Sequence, residues 1–400
     1  MIQRLLMFVF AFCFLAPAGW SQGDADPILL DVNKALKNQR SLKLSDFTQR
    51  IKYVKLETNA DCLISRGAVI VTDDLILVKI SRAPRILAFD HDGKYLYQIG
   101  REGKGPGEYL ALADWDVSPD GKIVAVADFY QMMIYFYKTG GEFIGRIQGV
   151  AFMYDGFGFI DNEHLVTYTN QNGMDPDGNY RFREYTIEPA GPVESVWSAN
   201  RPRGKQGEIN LSDQCLINEN HILFREQMSD TIFSLAANGT KRAEFVFDLG
   251  KLKPPANSLP KEEYDKYRSP IGLQTIPGYM IMNLTGAKNK WCNLVYDKKN
   301  QEFYSAINYS ACPYTETSYL GIMNDIDGMH PFTLLRSTYN NRWASLLQMV
   351  DLKTHLESKC WREQKLFTPE YREELMKIVE ESDMDDNPIV RVVYLGKTQK

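Results

Sequence analysis

The chain has 400 residues, of which 44% are hydrophobic, 12% aromatic and 24% charged, with a formal net charge of −5. Apolar and aromatic content on that scale excludes a disordered chain, which lacks surface to bury. Lysine and arginine are scattered rather than clustered, against a nucleic-acid groove, whose affinity needs a concentrated basic patch.

Arg4 is followed by an apolar run over residues 5–16, then by small-residue exits at Ala16-Pro17-Ala18 and Gly19-Trp20-Ser21. A charged start, a short apolar run and a small-residue cleavage site describe a secretory signal peptide. The run falls short of the roughly 20 residues that a spanning helix needs. Bulky Phe12 stands before Cys13, where lipid attachment wants a small residue. The expected organisation is a cleaved signal peptide over 1–21, a lead-in segment over 22–46 and one domain over 47–400. The mature protein is expected to be exported, periplasmic or extracellular, soluble, without a lipid anchor or a transmembrane segment. Five cysteines remain after Cys13 (62, 215, 292, 312 and 360), with no short spacing. Neither a zinc pattern nor a dense disulfide framework fits. Cys292 with Cys312 is one possible pair, and free buried thiols are the simpler expectation.

Along the chain, short period-2 stretches dominate. Residue 51–56 is a strand, followed by strands at 69–71, 75–78, 85–89 and 95–99, separated by turn formers such as Thr72-Asp73-Asp74 and Asp90-His91-Asp92-Gly93. Strands at 123–127, 133–136 and 143–147 continue the series. Gly93, Gly141, Gly191 and Gly239 mark equivalent turns 48, 50 and 48 positions apart, and Asn300 marks a fifth after 61. The Pro- and charge-rich stretch 253–270 accounts for the longer interval. Glycine or asparagine suits such turns because tight hairpins need positive φ. A second series, at 118–122, 161–164 and 218–221, repeats in parallel. Two turn series with a spacing near 50 mean one four-stranded unit per repeat, a propeller blade that buries its faces against its neighbours.

Residues 321–400 must supply the sixth blade. Strands are expected at 331–335 and 343–347, the latter either a strand alone or one that runs into a helix through Leu356. Thr368-Pro369-Glu370 opens a short helix, with an N-cap followed by proline at the first position, expected to end near Ser382. Residues 389–395 are the last strand. The fold expected is therefore all-β, a six-bladed β-propeller with four-stranded blades and one short C-terminal helix. Its N- and C-terminal strands meet in the closing blade, in an order the sequence leaves open.

Residues 99–109, Ile99-Gly100-Arg101-Glu102-Gly103-Lys104-Gly105-Pro106-Gly107-Glu108-Tyr109, lead into 118–128 in a pattern that resembles an NHL repeat. More widely, the chain resembles the exported six-bladed β-propeller proteins of bacteria, a family of largely unassigned function. The matching segments are 53–58, 101–109, Asn324-Asp325-Ile326-Asp327-Gly328 and Asp386-Asn387-Pro388. Between 152 and 242 the likeness rests on spacing alone.

The glycine-rich 103–107 loop is neither a P-loop, which needs Gly-Lys-Ser/Thr entering a helix, nor a dinucleotide loop, which needs a βαβ unit. It crosses from the outer strand of one blade to the inner strand of the next. It is either a structural crossing or a place where Arg101, Lys104, Glu108 and Tyr109 meet a ligand at a channel mouth, together with Asp114, Trp115 and Asp128. Asn324-Asp325-Ile326-Asp327-Gly328 and Asp175-Pro176-Asp177-Gly178-Asn179 faintly resemble calcium loops but lack the first acid. Asn324, Asp325 and Asp327 stay among the candidate ligand residues, although ordinary Asx turns explain both segments. Among five histidines, His91, His164 and His221 fall in hairpin turns, and no His-Glu-x-x-His or Gly-x-Ser-x-Gly occurs. No metal and no cofactor is expected. Tryptophans 115, 197, 291 and 343 either line a binding mouth or pack the blades.

The expected function is a non-catalytic binding or scaffold propeller for a small molecule, glycan, peptide or protein, with no nucleic acid. The alternative is a lyase or hydrolase on a carbohydrate or peptide, with carboxylates such as Glu108 and Asp128 facing each other as acid and base.

Overall fold

The computed structural model describes residues 26–81, 83–148, 154–169, 182–192, 214–218, 221–225, 229–236, 240–253, 266–284, 292–306, 322–329 and 338–396. The signal-peptide region, Gly239, the expected strand at 331–335 and the segment 175–179 lie outside these residues.

Six small sheets, each built on four antiparallel strands, carry the described chain. Blade I is β4 (Gly67–Val71), β5 (Ile76–Ile80), β6 (Ile86–Phe89) and β7 (Tyr95–Ile99). Blade II is β8 (Asp114–Val117), β9 (Ile123–Asp128), β10 (Met133–Lys138) and β11 (Phe143–Gln148). Blade III is β12 (Tyr154–Phe159), β13 (His164–Thr169), β14 (Phe182–Ile187) and β15 (Ala190–Pro192). Blade IV is β16 (Gln214–Asn218), β17 (His221–Arg225), β18 (Thr231–Ala236) and β19 (Lys241–Asp248). Blade V is β20 (Pro270–Ile276), β21 (Tyr279–Leu284), β22 (Cys292–Asp297) and β23 (Glu302–Ala306). Blade VI is β24 (Thr338–Tyr339), β25 (Arg342–Leu347), β26 (Ile389–Leu395) and β3 (Thr48–Lys55).

Alternating side chains give each sheet two apolar faces, and the buried residues fall into six clusters, one per seam. Leu77, Trp115, Val126 and Tyr135 fill the seam of I with II. Phe136, Phe157 and Leu165 fill that of II with III, and Val166, Phe182 and Phe224 that of III with IV. Phe245, Met282 and Tyr296 join IV to V, Ile281, Val295, Trp343 and Val393 join V to VI, and Val54, Val78 and Val390 join VI to I. Because every face finds a partner only when the sixth meets the first, the ring is a six-bladed β-propeller.

Closure uses both ends of the chain. The C-terminal β26 is the third strand of blade VI, and β3, from the N-terminal side, pairs antiparallel outside it, Arg391 opposite Tyr53. The lead-in segment is part of the fold. Its β1 (Ile28–Asp31) adds parallel to β19 of blade IV, and its β2 (Gln39–Arg40) adds parallel to β23 of blade V. Between them runs α1 (Val32–Lys37), capped by the Asp31 side chain. The segment is thus a belt laid along the outside of blades IV, V and VI before β3 begins. Arg40 pins it, donating to both carboxylate oxygens of Glu302.

Both turn series fall at equivalent hairpins, the first between third and fourth strands, the second between first and second. The turn chemistry differs from expectation at two places. Gly93 and Gly141 are left-handed, with φ of 87° and 91°. Gly191 instead lies inside β15, past a turn at Glu188-Pro189, and the positive φ of the β22–β23 turn is taken by Gln301 rather than Asn300. At Gly93 close approach adds to the requirement, since a Cβ would lie 2.0 Å from the Lys55 carbonyl oxygen.

Helix α4 (Pro369–Glu380) has proline in its first turn, as its sequence predicts. Two shorter helices precede it, α2 (Met349–Leu356), directly after β25, and α3 (Lys359–Glu363). All three lie between the second and third strands of blade VI and seal the upper end of its seam with blade V through Leu352, Trp361, Leu375 and Val379. Among the described residues, no helix is long and apolar enough to cross a membrane.

Candidate functional site

The crossing from β7 to β8 passes over the upper rim of the ring, the end that also carries the turns between second and third strands. It is folded onto itself. Glu108 accepts hydrogen bonds from the Gly105 amide at 2.8 Å and the Arg101 Nε at 2.5 Å. These two donors hold the Glu108 carboxyl below the usual carboxylate range, the backbone bond contributing most. The Gly103 amide donates to the Tyr109 carbonyl and the Tyr109 amide to that of Arg101, closing the base of the loop.

Aromatic rings hold the loop on blade II. Tyr109 is fully buried, packed at 6.3 Å from the rings of both Tyr135 and Tyr137. Tyr137 donates its hydroxyl to the Gly107 carbonyl, and Tyr109 donates to that of Ile99. Burial pushes both phenols up, so they are neutral donors across the physiological range. Gly107 has φ of 70°, and a Cβ there would lie 2.7 Å from the Phe143 ring.

Asp128, at the end of β9, is buried, and both its oxygens are filled. Oδ2 accepts from the Leu110 amide at 2.6 Å and from Gln131 Nε2 at 2.9 Å, while Oδ1 accepts from the amides of Tyr130 and Gln131. Gln131 Nε2 also reaches the Glu108 carbonyl. Asp128 therefore ties the crossing to the β9–β10 turn and fixes the turn's shape. That turn lifts three apolar side chains off the rim: Phe129, Tyr130 and Met132 are 55%, 74% and 52% exposed.

The candidates drawn from the sequence divide accordingly. Arg101, Lys104 and Glu108 stand at the rim, Arg101 and Lys104 exposed. Tyr109 and Trp115 are packed in the seam of blades I and II. Asp114 is half-buried at the start of β8, beside Lys79, which donates to the Ala113 carbonyl and whose amine is lowered by burial against the opposing pull of Asp114. Asp128 meets this group through Leu110 and Gln131.

Asn324, Asp325 and Asp327 are elsewhere, under the helices in the seam of blades V and VI, and buried. Asp325 accepts from the amide and hydroxyl of Ser45 in the belt. Asp327 is fully buried and accepts from the Tyr53 hydroxyl at 2.5 Å, the Met329 amide, the Asn324 side chain and Arg391 Nη1. A guanidinium thus stands beside this carboxylate, and the three residues are committed to protein partners.

Sequence reasoning missed Phe129, Tyr130, Gln131, Met132 and Lys79. The first four sit on the far side of a strand ending in Asp, and an Asx turn there was the only local signal. Among the described residues no three His, Cys, Asp or Glu side chains gather as metal ligands. Cys62 and Cys292 are free, buried thiols, Cys292 pushed up to about 11 by burial.

The family described as a domain of unknown function, DUF4934, matches residues 27–394. The chain belongs to that family. Its match takes in the belt, all six blades and the closing strand. No curated protein matches. Among solved structures, an exported protein of Bacteroides fragilis NCTC 9343 is similar over 92% of this chain and 100% of its own, with TM-score 0.62 and 16% identity. A DUF4221 member from Bacteroides vulgatus ATCC 8482 covers 66% of this chain and 86% of its own, with TM-score 0.44 and 11% identity. BamB from Moraxella catarrhalis covers 64% of this chain and 66% of its own, with TM-score 0.38 and 12% identity. The first of these likenesses, at its low identity, speaks for the fold alone.

Proposed function

We propose that this chain is an exported, non-catalytic binding or scaffold propeller whose partner docks on the upper rim where blades I and II meet. Export is supported by the apolar run at 5–16 and by the similarity to a protein described as exported. Docking is supported above all by the rim turn, where Phe129, Tyr130 and Met132 are exposed together on a backbone that Asp128 holds in place. Aromatic residues and methionine are enriched at protein interfaces, and a preset turn loses little conformational freedom on binding. Exposed aromatic and methionine side chains on a turn suit the surface of a protein partner better than a small molecule, whose sites are concave. Arg101, Lys104 and Glu108 form the polar border beside it.

The hydrolytic alternative draws no support from Glu108 and Asp128. Glu108 is held ionised by its two donors, and Asp128 has both oxygens occupied by hydrogen bonds. A general acid needs the opposite, a carboxyl raised toward neutrality.

The test is a photo-crosslinking residue placed at Tyr130 in the exporting cell, with Leu96, exposed on the outer strand of blade I, as control. A discrete adduct from position 130, absent from position 96 and lost on Met132→Asp, is expected. Equal labelling from both positions, or none from 130, overturns the proposal.

A further inference from the structure

Asn283 on β21 and Asn293 on β22 stand directly opposite each other in the register of blade V. Ile281 and Val295, two residues away on the same strands, belong to the core between blades V and VI. By strand alternation both amides face that seam.

Asn293 has none of its surface exposed. Its Nδ2 and Oδ1, and the Oδ1 of Asn283, are buried without a hydrogen-bond partner. An unmet buried polar group is destabilising, and asparagine is disfavoured in strands. Two aliphatic side chains would carry neither cost. Directly opposite β carbons lie about 4.5–5.5 Å apart, close enough for one small group to reach both amides.

The unmet set is one donor and two acceptors, all uncharged. A hydroxyl group, which both donates and accepts, is the chemistry that answers it. Asn283 is only half-buried and sits at the upper end of its strand, one residue from the described end of β21 at Leu284. Beside it β20 bulges at Gly272, whose φ is 65° and where a Cβ would lie 3.0 Å from Asn283 Nδ2. A glycine there leaves room for the Asn283 amide.

We propose that Asn283 and Asn293 form a hydroxyl-binding site in the seam of blades V and VI, three blades round the ring from the Phe129 turn. Its occupant is ordered water, or the hydroxyl of a saccharide entering from the upper rim.

A high-resolution crystal structure of the mature protein, grown without polyols and then soaked in glucose, tests this. An oxygen about 2.7–3.2 Å from the Asn293 amide is expected before soaking. Its persistence after soaking assigns the site to water, and its replacement by a sugar hydroxyl assigns it to saccharide. Asn293→Leu is expected to lower the Tm, because the bonds to the occupant are lost. No oxygen in either crystal, with a Tm raised by Asn293→Leu, overturns the site, since the amide would then be only an uncompensated cost.

Discussion

Tyr137 donates its hydroxyl to the carbonyl of Gly107 at 2.9 Å, from the third strand of blade II to the crossing that arrives from blade I. One side chain thereby fixes the height of the glycine-rich loop above its blade. Tyr137→Phe should lower stability by about 0.5–1.5 kcal/mol, the usual net worth of such a bond. Gly107→Val should cost more, because it combines a left-handed backbone with a clash against Phe143. Urea unfolding of the two variants checks the order, and equal stability of both with the parent would refute it.

The Arg101–Glu108 contact is expected to matter little for folding. Arg101 has 77% of its side chain exposed, and exposed ion pairs contribute little to stability. Arg101→Ala should leave the Tm almost unchanged. Glu108→Ala should loosen the loop as well, since the Gly105 amide loses its acceptor. Amide hydrogen exchange at Gly105 should rise in the second variant and stay put in the first.

Asp327 and Arg391 are an ion pair almost without exposure, 0% and 2%. Removing one partner of a buried pair costs about 3–5 kcal/mol, because the other charge is stranded. Asp327→Asn should therefore destabilise far more than any rim substitution. A midpoint in urea close to that of the parent would show that the network carries no such weight.

Burial pushes the His355 imidazole down to about 4. In the unfolded chain it titrates near about 6.5, so between these values the unfolded state binds a proton that the folded state refuses. Stability from this group is full above about 6.5 and declines as the pH falls toward 4. His355→Leu should flatten that part of the stability–pH curve relative to the parent. Identical slopes in urea titrations from pH 7 to pH 4 would count against the assignment.

The belt is expected to act as a clasp on blades IV to VI. Deleting residues 22–43 leaves β3 in blade VI but strips the parallel partners from β19 and β23. The truncated protein should keep its β-sheet circular dichroism and melt at a lower temperature. An unchanged Tm would show that the belt adds nothing to the ring.

The blades were legible in the sequence because a hairpin is a local object. Alternation over a few residues sets which side chains face the seam, and turn formers such as Asp90-His91-Asp92-Gly93 sit beside the strands they join. The same reasoning placed the crossing at 101–109 and the helix that opens at Pro369. It slipped at Gly191, which lies inside β15 while Pro189 stands in the turn; Asn300 is in its turn, but Gln301 takes the positive φ. Turn geometry depends on the register of both strands, which no single residue reports.

What remained was settled between segments far apart in the chain. That β3 lies outside β26, that the lead-in lies along β19 and β23, and that Asn324, Asp325 and Asp327 form a buried brace with Ser45, Tyr53 and Arg391 are all long-range facts. A carboxylate in a loop reads alike whether it meets solvent or a guanidinium. Only packing brings Arg391 within reach of Asp327, and Asp128 onto the amides that shape the Phe129 turn, because burial and hydrogen-bond partners belong to the assembled ring and not to the order of its residues.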